Sequence, residues 1–157
     1  MNADDPTVLN FIHRSMVARI ATLSHNGRPS ITPLYFVCVS GHIWLGTADW
    51  TLAAREAKAD PRVSVLLQIE RNPNDHRILR IMGAAQVRTD AKTMRSSNLR
   101  MALKYILTPG SIRNRLSNRR LVQAERLYHM QSAEKGLACI IDVIPERAEF
   151  LDDHQLH

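Results

Sequence analysis

The sequence contains few of the residues and motifs that mark specialised chemistry. It has two cysteines in 157 residues, Cys38 and Cys139, and both lie in apolar runs without CxxC spacing, so we expect buried, reduced thiols. It also lacks HExxH, GxGxxG, P-loop and GxSxG motifs, and its seven histidines form no cluster with cysteine. The sequence therefore predicts no metal site, and it identifies no catalytic residue.

Two further absences concern membranes and nucleic acids. No apolar run approaches the roughly 20 residues that a membrane helix requires, and residues 1–6 carry neither basic residues nor an apolar signal core. We therefore expect a cytoplasmic protein without a membrane partner. Only 5% of the residues are aromatic, which leaves few side chains to stack on bases and argues against nucleic acid as a partner despite a net charge of +6.

The positive charge is concentrated in one part of the chain. Residues 88–135 hold eleven basic and three acidic side chains, whereas the rest of the chain is slightly acidic. The run from Arg113 to Arg126 is typical of a solvated helix face. It is also compatible with a surface that attracts an acidic small molecule, and both interpretations stay open.

Periodicity predicts a single domain over residues 1–157, mainly β with flanking helices. Hydrophobic and charged residues make up 45% and 23% of the chain, as in ordinary globular proteins. Alternating and helical spacings predict these elements: a helix from Pro6 to Arg14, strands from Val17 to Ser24, Ser30 to Val39 and His42 to Thr47, a helix from Asp49 to Ala59, strands from Val63 to Ile69 and Leu79 to Arg88, a helical insertion at about 92–131, and a final strand from Leu137 to Ile144. The insertion consists of a helix with an apolar stripe that includes Leu99 and Leu103, and a second helix from Ser111 to about Gln131. The final strand is expected to end at Pro145, and Ala148 to Leu151 could continue past it. Successive antiparallel strands favour a six- to seven-stranded barrel, because closure removes exposed sheet edges.

Three positions carry local backbone signals. His25-Asn26-Gly27 predicts a hairpin turn, since Asn and Gly tolerate the positive φ that a tight turn requires. Pro33 lacks a ladder donor, so we expect an edge or a bulge there. Gly83 leaves room for a bend or a close approach in the fifth strand.

The strongest candidate for a binding site is the segment LGTADWTLAAR, where a strand is followed by a helix. A helix N-terminus presents unpaired N–H groups and partial positive charge, which attract anions. Thr47 and Thr51 supply hydroxyls, Arg55 lies one turn further on, and Trp50 could cover an aromatic ring. In the alternative interpretation Asp49 caps an ordinary helix, Thr51 is solvated and Trp50 belongs to the core.

Several short motifs, in order, resemble those of the pyridoxamine 5′-phosphate oxidase-like split β-barrels. That family shows an R-x-A-T strand, a D/N-G-x-P turn, a P-x-x-F strand, a Thr-containing strand end and a helix ending in P-R-V. The matching residues here are Arg19, Ala21-Thr22, Asn26-Gly27-Arg28-Pro29, Pro33 to Phe36, Thr47, Thr51 and Asp60-Pro61-Arg62-Val63, followed by Met82-Gly83-Ala84-Ala85. The resemblance covers about residues 8–90.

The resemblance implies an antiparallel split β-barrel that forms a homodimer, with flavin in a cleft between the subunits. Thr47 and Thr51 would bind the FMN phosphate, and the backbone of the strand from Leu34 to Phe36 would line the isoalloxazine ring. The candidate cofactor-binding residues are Arg19, Pro33, Leu34, Tyr35, Phe36, Thr47, Trp50, Thr51 and Arg55. The implied activity is hydride transfer between FMN and a small molecule, in which the protein supplies binding and orientation.

The sequence departs from the family pattern directly after Thr51. Many members have Arg-Lys, or at least Lys, where this chain has Leu52-Ala53, so the main cationic phosphate clamp is missing. Arg55 or Arg19 could replace it. The departure and the basic run leave open a reductase that uses the deazaflavin coenzyme F-420. A flavin- or haem-binding protein without turnover, or a basic regulatory binding module, are further alternatives.

Overall fold

The computed structural model describes residues 2–70, 72, 74–106 and 136–151, and the statements below concern these residues. The elements in chain order are α1 (Pro6–Arg14), β1 (Ala18–Leu23), β2 (Pro29–Leu34), β3 (Phe36–Val39), β4 (His42–Ala48), α2 (Leu52–Ala59), β5 (Arg62–Gln68), β6 (Ile78–Arg88), α3 (Ala91–Met101), a π-helical turn (Ala102–Ile106) and β7 (Ala138–Leu151). The predicted helix from Ser111 to Gln131 and the basic run from Arg113 to Arg126 lie outside the described residues.

The seven strands form one antiparallel sheet in the order β2-β1-β5-β6-β7-β4-β3. The sheet curls into a half-barrel, with β2 and β3 as its two edge strands. The prediction of a mainly β fold with flanking helices and six to seven antiparallel strands is confirmed. None of the helices in the described part of the chain is long and apolar enough to cross a membrane.

The core fills the concave side of the sheet because alternate residues of each strand face inward. On β1, for example, Ala18, Ile20 and Thr22 are buried while the residues between them are partly exposed. Helix α1 adds Val8, Phe11 and Ile12 to the same core, capped at its N-terminus by the Asp5 side chain, which accepts a hydrogen bond from the Thr7 amide at 2.8 Å.

The predicted second strand is interrupted at Tyr35. Residues Pro29–Leu34 pair with β1, whereas Phe36–Val39 pair with β4. The single strand predicted from Ser30 to Val39 was therefore wrong, since the chain changes partner in its middle. Pro33 does lie in an edge strand, as expected from its missing N–H.

The predicted end of the last strand at Pro145 was wrong, whereas its continuation from Ala148 to Leu151 is confirmed, because β7 runs without a break to Leu151. A bulge between Met82 and Gly83 shifts the register, so that Gly83 pairs with Pro145 and Met82 with Arg147. The bulge accommodates a residue without an N–H within a long strand. Gly83 is needed at this point, because a Cβ there would collide with the Ile144 carbonyl, which confirms the expected close approach.

The helical stripe predicted around Leu99 and Leu103 does form a helix, but the described residues do not bury it. Leu99 and Leu103 are 63% and 53% exposed. The opposite side of α3 carries the buried residues Thr93 and Ser97, and the Met101 methyl lies 3.4 Å from where a Cβ would stand on Gly46. Helix α3 thus packs against β3 and β7, and its last residue reaches Gly46 of β4 between them.

Candidate functional site

The two threonines of the predicted anion site lie together where β4 ends and α2 begins. The hydroxyl oxygens of Thr47 and Thr51 are 3.0 Å apart. Thr51 is the N-cap of α2: its hydroxyl accepts a hydrogen bond from the Ala54 amide at 3.4 Å and donates one to the Ala48 carbonyl at 2.8 Å. The expectation that Asp49 caps this helix was wrong. The Asp49 amide instead bonds the Leu137 carbonyl at 2.9 Å.

The first turn of α2 has the features of an anion-binding helix end. The amides of Leu52 and Ala53 make no hydrogen bond with any residue that the structure describes, as is usual at the start of a helix. Arg55 is exposed one turn further on and forms no ion pair within the described ranges. Two amides, the Thr47 hydroxyl and the exposed Arg55 guanidinium are therefore able to surround a phosphate.

Trp50 lies beside this helix end with 43% of its surface exposed. Its ring packs closely against Gly136, where a Cβ would stand 2.7 Å from the Trp50 Cδ1 atom. The strand-to-helix junction is therefore closed on one side by β7 and open on the other.

The structure does not bring Arg19 to the threonines. Arg19 stands opposite Pro33 in the β1–β2 register, and its guanidinium lies 3.7 Å from the Glu70 carboxylate. Strand β1 pairs with β2 and β5 and not with β4. Of the two proposed replacements for the missing cation, Arg55 is the one that lies next to Thr51.

The predicted ring-binding segment, Leu34 to Phe36, lies at the junction of β2 and β3. Leu34 packs partly against the core, and Phe36 is fully buried. Tyr35 is 63% exposed, and its carbonyl accepts a hydrogen bond from the Gly46 amide at 3.1 Å. Leu34 therefore offers a cofactor ring at most its backbone, and the N–H and C=O of Phe36 are engaged by the Tyr105 hydroxyl. Tyr35 also offers its exposed side chain.

Two residues at this junction were missed by the sequence analysis: Lys104 and Tyr105 of the π-helical turn. The Tyr105 hydroxyl oxygen lies 2.8 Å from the carbonyl oxygens of both Phe36 and Met16, either of which can accept its one proton, and it accepts from the Phe36 amide at 3.1 Å. The rings of Tyr35 and Tyr105 are 4.8 Å apart. The only available signal was a tyrosine, one of three in the chain, within a helical segment.

Burial shifts the titration of both residues. Desolvation raises the pKa of Tyr105 to about 12 and lowers the pKa of Lys104 to about 8. Desolvation also raises the pKa of Cys38 and brings that of Cys139 to about 11. Both cysteines are free thiols in the structure; Cys139 is buried as expected, whereas Cys38 is only half-buried.

Two buried carboxylates elsewhere form polar clusters that the sequence analysis also missed. Asp142 on β7 is 1% exposed and lies between His42 Nδ1 at 2.9 Å and Arg88 Nη1 at 3.0 Å. Glu56 on α2 accepts hydrogen bonds from Thr22 at 2.6 Å and from Ser30. Within the described residues, no group of three or more His, Cys, Asp and Glu side chains could hold a metal ion.

A groove of about 530 Å³ runs along the outer side of the sheet, away from the threonines. Its lining includes Ala21, Leu23, Pro29 and Met82, with Arg62 as a charged lining residue. The edge strand β2 continues this surface with exposed Pro29, Ile31 and Pro33. The groove offers mainly apolar contacts, and Glu146 is a second charged lining residue beside Arg62.

Comparisons with known proteins identify the family and the fold. The sequence model of the pyridoxamine 5′-phosphate oxidase family matches residues 5–151. None of the curated proteins matches the sequence. Among solved structures, a conserved hypothetical protein from Mycobacterium tuberculosis has a TM-score of 0.69 at 18% identity, over 98% of this chain and 87% of that one.

Two other similar solved structures are of proteins named after a cofactor. An F420 reductase has a TM-score of 0.61 at 19% identity, over 89% of this chain and 94% of that one. An FAD-binding protein from Mesorhizobium loti has a TM-score of 0.62 at 16% identity, over 94% and 93%. These likenesses show the fold alone. Because the family model spans nearly the whole sequence, however, this chain belongs to the pyridoxamine 5′-phosphate oxidase family.

Proposed function

We propose that the protein is a flavin-dependent oxidoreductase that transfers hydride between FMN and an unidentified small molecule. The observation that carries the proposal is the hydroxyl pair of Thr47 and Thr51, 3.0 Å apart at the start of α2, beside two amides without a described partner. In a member of this family, that arrangement matches the requirement of a cofactor phosphate.

The residues present fit an FMN phosphate. The Thr47 hydroxyl and the amides of Leu52 and Ala53 would hold the phosphate oxygens, and Arg55 would provide the positive charge that a lysine after Thr51 provides in many relatives. When bound, the flavin supplies the hydride chemistry. The protein binds it, orients it and excludes water, with Tyr35 and Trp50 as exposed aromatic surfaces at the two ends of the site.

A homodimer with the cofactor between the subunits belongs to the same proposal. The outward side of β2 presents Pro29, Ile31 and Pro33 to solvent, with exposed Tyr35 directly after the strand. It adjoins the apolar groove, which shares Pro29 with it. Exposed apolar surfaces of this kind mark protein interfaces, and a second copy in the cytoplasm would cover this one.

The test is FMN binding by purified protein and by two variants. We expect Thr47→Val and Arg55→Ala each to weaken FMN binding at least tenfold, about 1.4 kcal/mol, because each removes one phosphate ligand. Lys58→Ala is the matched control: it removes an exposed positive charge from the last turn of the same helix. Unchanged affinity in both site variants would refute this placement of the phosphate.

A deazaflavin-dependent reductase is the second candidate, favoured by Leu52-Ala53 in place of the usual Arg-Lys and by the likeness to an F420 reductase. The same titrations separate the candidates. A colourless preparation that binds coenzyme F-420 tightly and ignores FMN would replace the first proposal by the second. A Soret band would indicate haem, and a bound flavin without turnover would indicate a non-catalytic binding protein.

A further inference from the structure

Lys104 carries a positive charge that no described residue satisfies. Its Nζ lies 3.5 Å from the centroid of the Phe36 ring and 5.3 Å from that of Tyr105, and the side chain is half-buried. Within the described residues, it forms neither a hydrogen bond nor an ion pair. Burial removes part of the water around this ammonium, and the contacts with aromatic rings compensate for only part of the lost hydration. An anion beside the ammonium would therefore be stabilised.

The position of Lys104 is fixed by its neighbour. The Tyr105 hydroxyl bonds both backbone groups of Phe36 and the carbonyl of Met16. This anchors the π-helical turn on the edge strand β3. The backbone of Lys104, one residue earlier, is thereby held beside Phe36, over whose ring the ammonium lies.

The surrounding charged and titratable groups leave the charge of Lys104 in place at neutral pH. Glu70, after β5, is engaged by Arg19 and by the Met16 amide at 3.3 Å. Cys38 on β3 and Tyr105 both have raised pKa values and stay neutral. The nearest acidic groups are therefore either paired or protonated.

We propose that Lys104 faces the ring of the bound cofactor and stabilises its reduced, anionic form. The proposal rests on the proposed function and deepens it, because Lys104 packs on the segment next to exposed Tyr35 where that function requires the ring. Oxidised FMN that accepts a hydride, which is two electrons and one proton, gains one negative charge, and the hydride donor is oxidised by the same two electrons. A fixed ammonium at the ring favours the charged product.

The experiment measures how much more tightly the protein binds oxidised FMN than reduced FMN, in wild type and in Lys104→Met. This ratio of dissociation constants follows from the difference between the midpoint potentials of bound and free flavin. At about pH 7 we expect the affinity for oxidised FMN to change less than threefold. In Lys104→Met, binding of reduced FMN should weaken at least tenfold relative to binding of oxidised FMN. For a two-electron couple, this lowers the midpoint potential of the bound flavin by roughly 30 mV. Lys92→Met, on the exposed side of α3, is the matched control and should leave the ratio unchanged.

A pH series and a charge-preserving variant complete the test. Because burial lowers the pKa of Lys104 to about 8, its charge is present below that pH and lost above it. The difference between wild type and Lys104→Met should therefore shrink below threefold at about pH 9.5, while Lys104→Arg should behave as wild type at pH 7 and keep its ratio at pH 9.5. Equal ratios in wild type and Lys104→Met at pH 7 overturn the role of Lys104 and leave the FMN site intact. Failure of wild type to bind FMN overturns both proposals.

Discussion

Removing one hydroxyl group, in Tyr105→Phe, should destabilise the protein by roughly 2–3 kcal/mol. Strand β3 is an edge of the sheet, so backbone groups of Phe36 that point away from β4 need partners outside the sheet. The Tyr105 hydroxyl provides them: it accepts from the Phe36 amide and donates to a carbonyl of Phe36 or Met16. Two hydrogen bonds at about 1 kcal/mol each are lost, and a buried amide left without a partner adds to that cost.

Urea and thermal unfolding, followed by circular dichroism at a single protein concentration, measure this loss. For a chain of this length, 2–3 kcal/mol corresponds to a decrease in Tm of about 5–10 °C. Tyr35→Phe is the matched control, because the Tyr35 ring contacts Tyr105 but its hydroxyl bonds no described residue. It should change stability by less than about 0.5 kcal/mol. A loss that small in Tyr105→Phe as well would show that the hydroxyl does not anchor β3.

Two other predictions concern the bulge and the loop before β6. Gly83→Ala should cost about 3 kcal/mol in urea unfolding, because its Cβ would collide with the Ile144 carbonyl. Gly27→Ala is the comparison: Gly27 has a φ of +72° but open space around it, so this variant should lose only about 1 kcal/mol of stability. Equal losses of stability in the two variants would contradict the bulge register. The hydrogen bonds of Arg77 lower the pKa of Asp75 from 3.8 to about 2, so this pair stabilises the fold above about pH 4 and less as the pH falls through 2. In thermal unfolding, Asp75→Asn should be less stable than wild type at pH 6 and as stable as wild type below pH 2. If the variant is still less stable below pH 2, the charge of Asp75 is not the cause.

Local chemistry was sufficient to predict most elements of the fold. Helix α1 has the predicted bounds, because Asp5, Pro6 and an apolar stripe define its start and its buried side within nine residues. The hairpin after β1 follows from Asn26-Gly27, and Gly27 has the expected positive φ of 72°. Signals of this kind act between residues that are close in sequence, so the sequence reveals them.

The features that were missed depend on contacts between distant residues. Nothing around Tyr35 indicates that the chain leaves β1 for β4, because the change depends on where β4 lies. The bond between Tyr105 and Phe36 joins residues 69 positions apart. Asp49 and Thr51 are both acceptable cap residues, and no residue close to them in sequence distinguishes the two. The candidate threonines were found because they are four residues apart, whereas Lys104 lies in a segment that the family motifs do not cover.

The double use of Thr51 has an evolutionary consequence. Its hydroxyl already caps α2 and bonds the Ala48 carbonyl, so a substitution that removes it costs stability whatever the ligand is. Among the described residues, neither Thr47 nor Arg55 caps a helix. Lineages that exchange one cofactor for another can therefore vary positions 47 and 55 at little cost to the fold, while position 51 should tolerate only Ser, Asp or Asn.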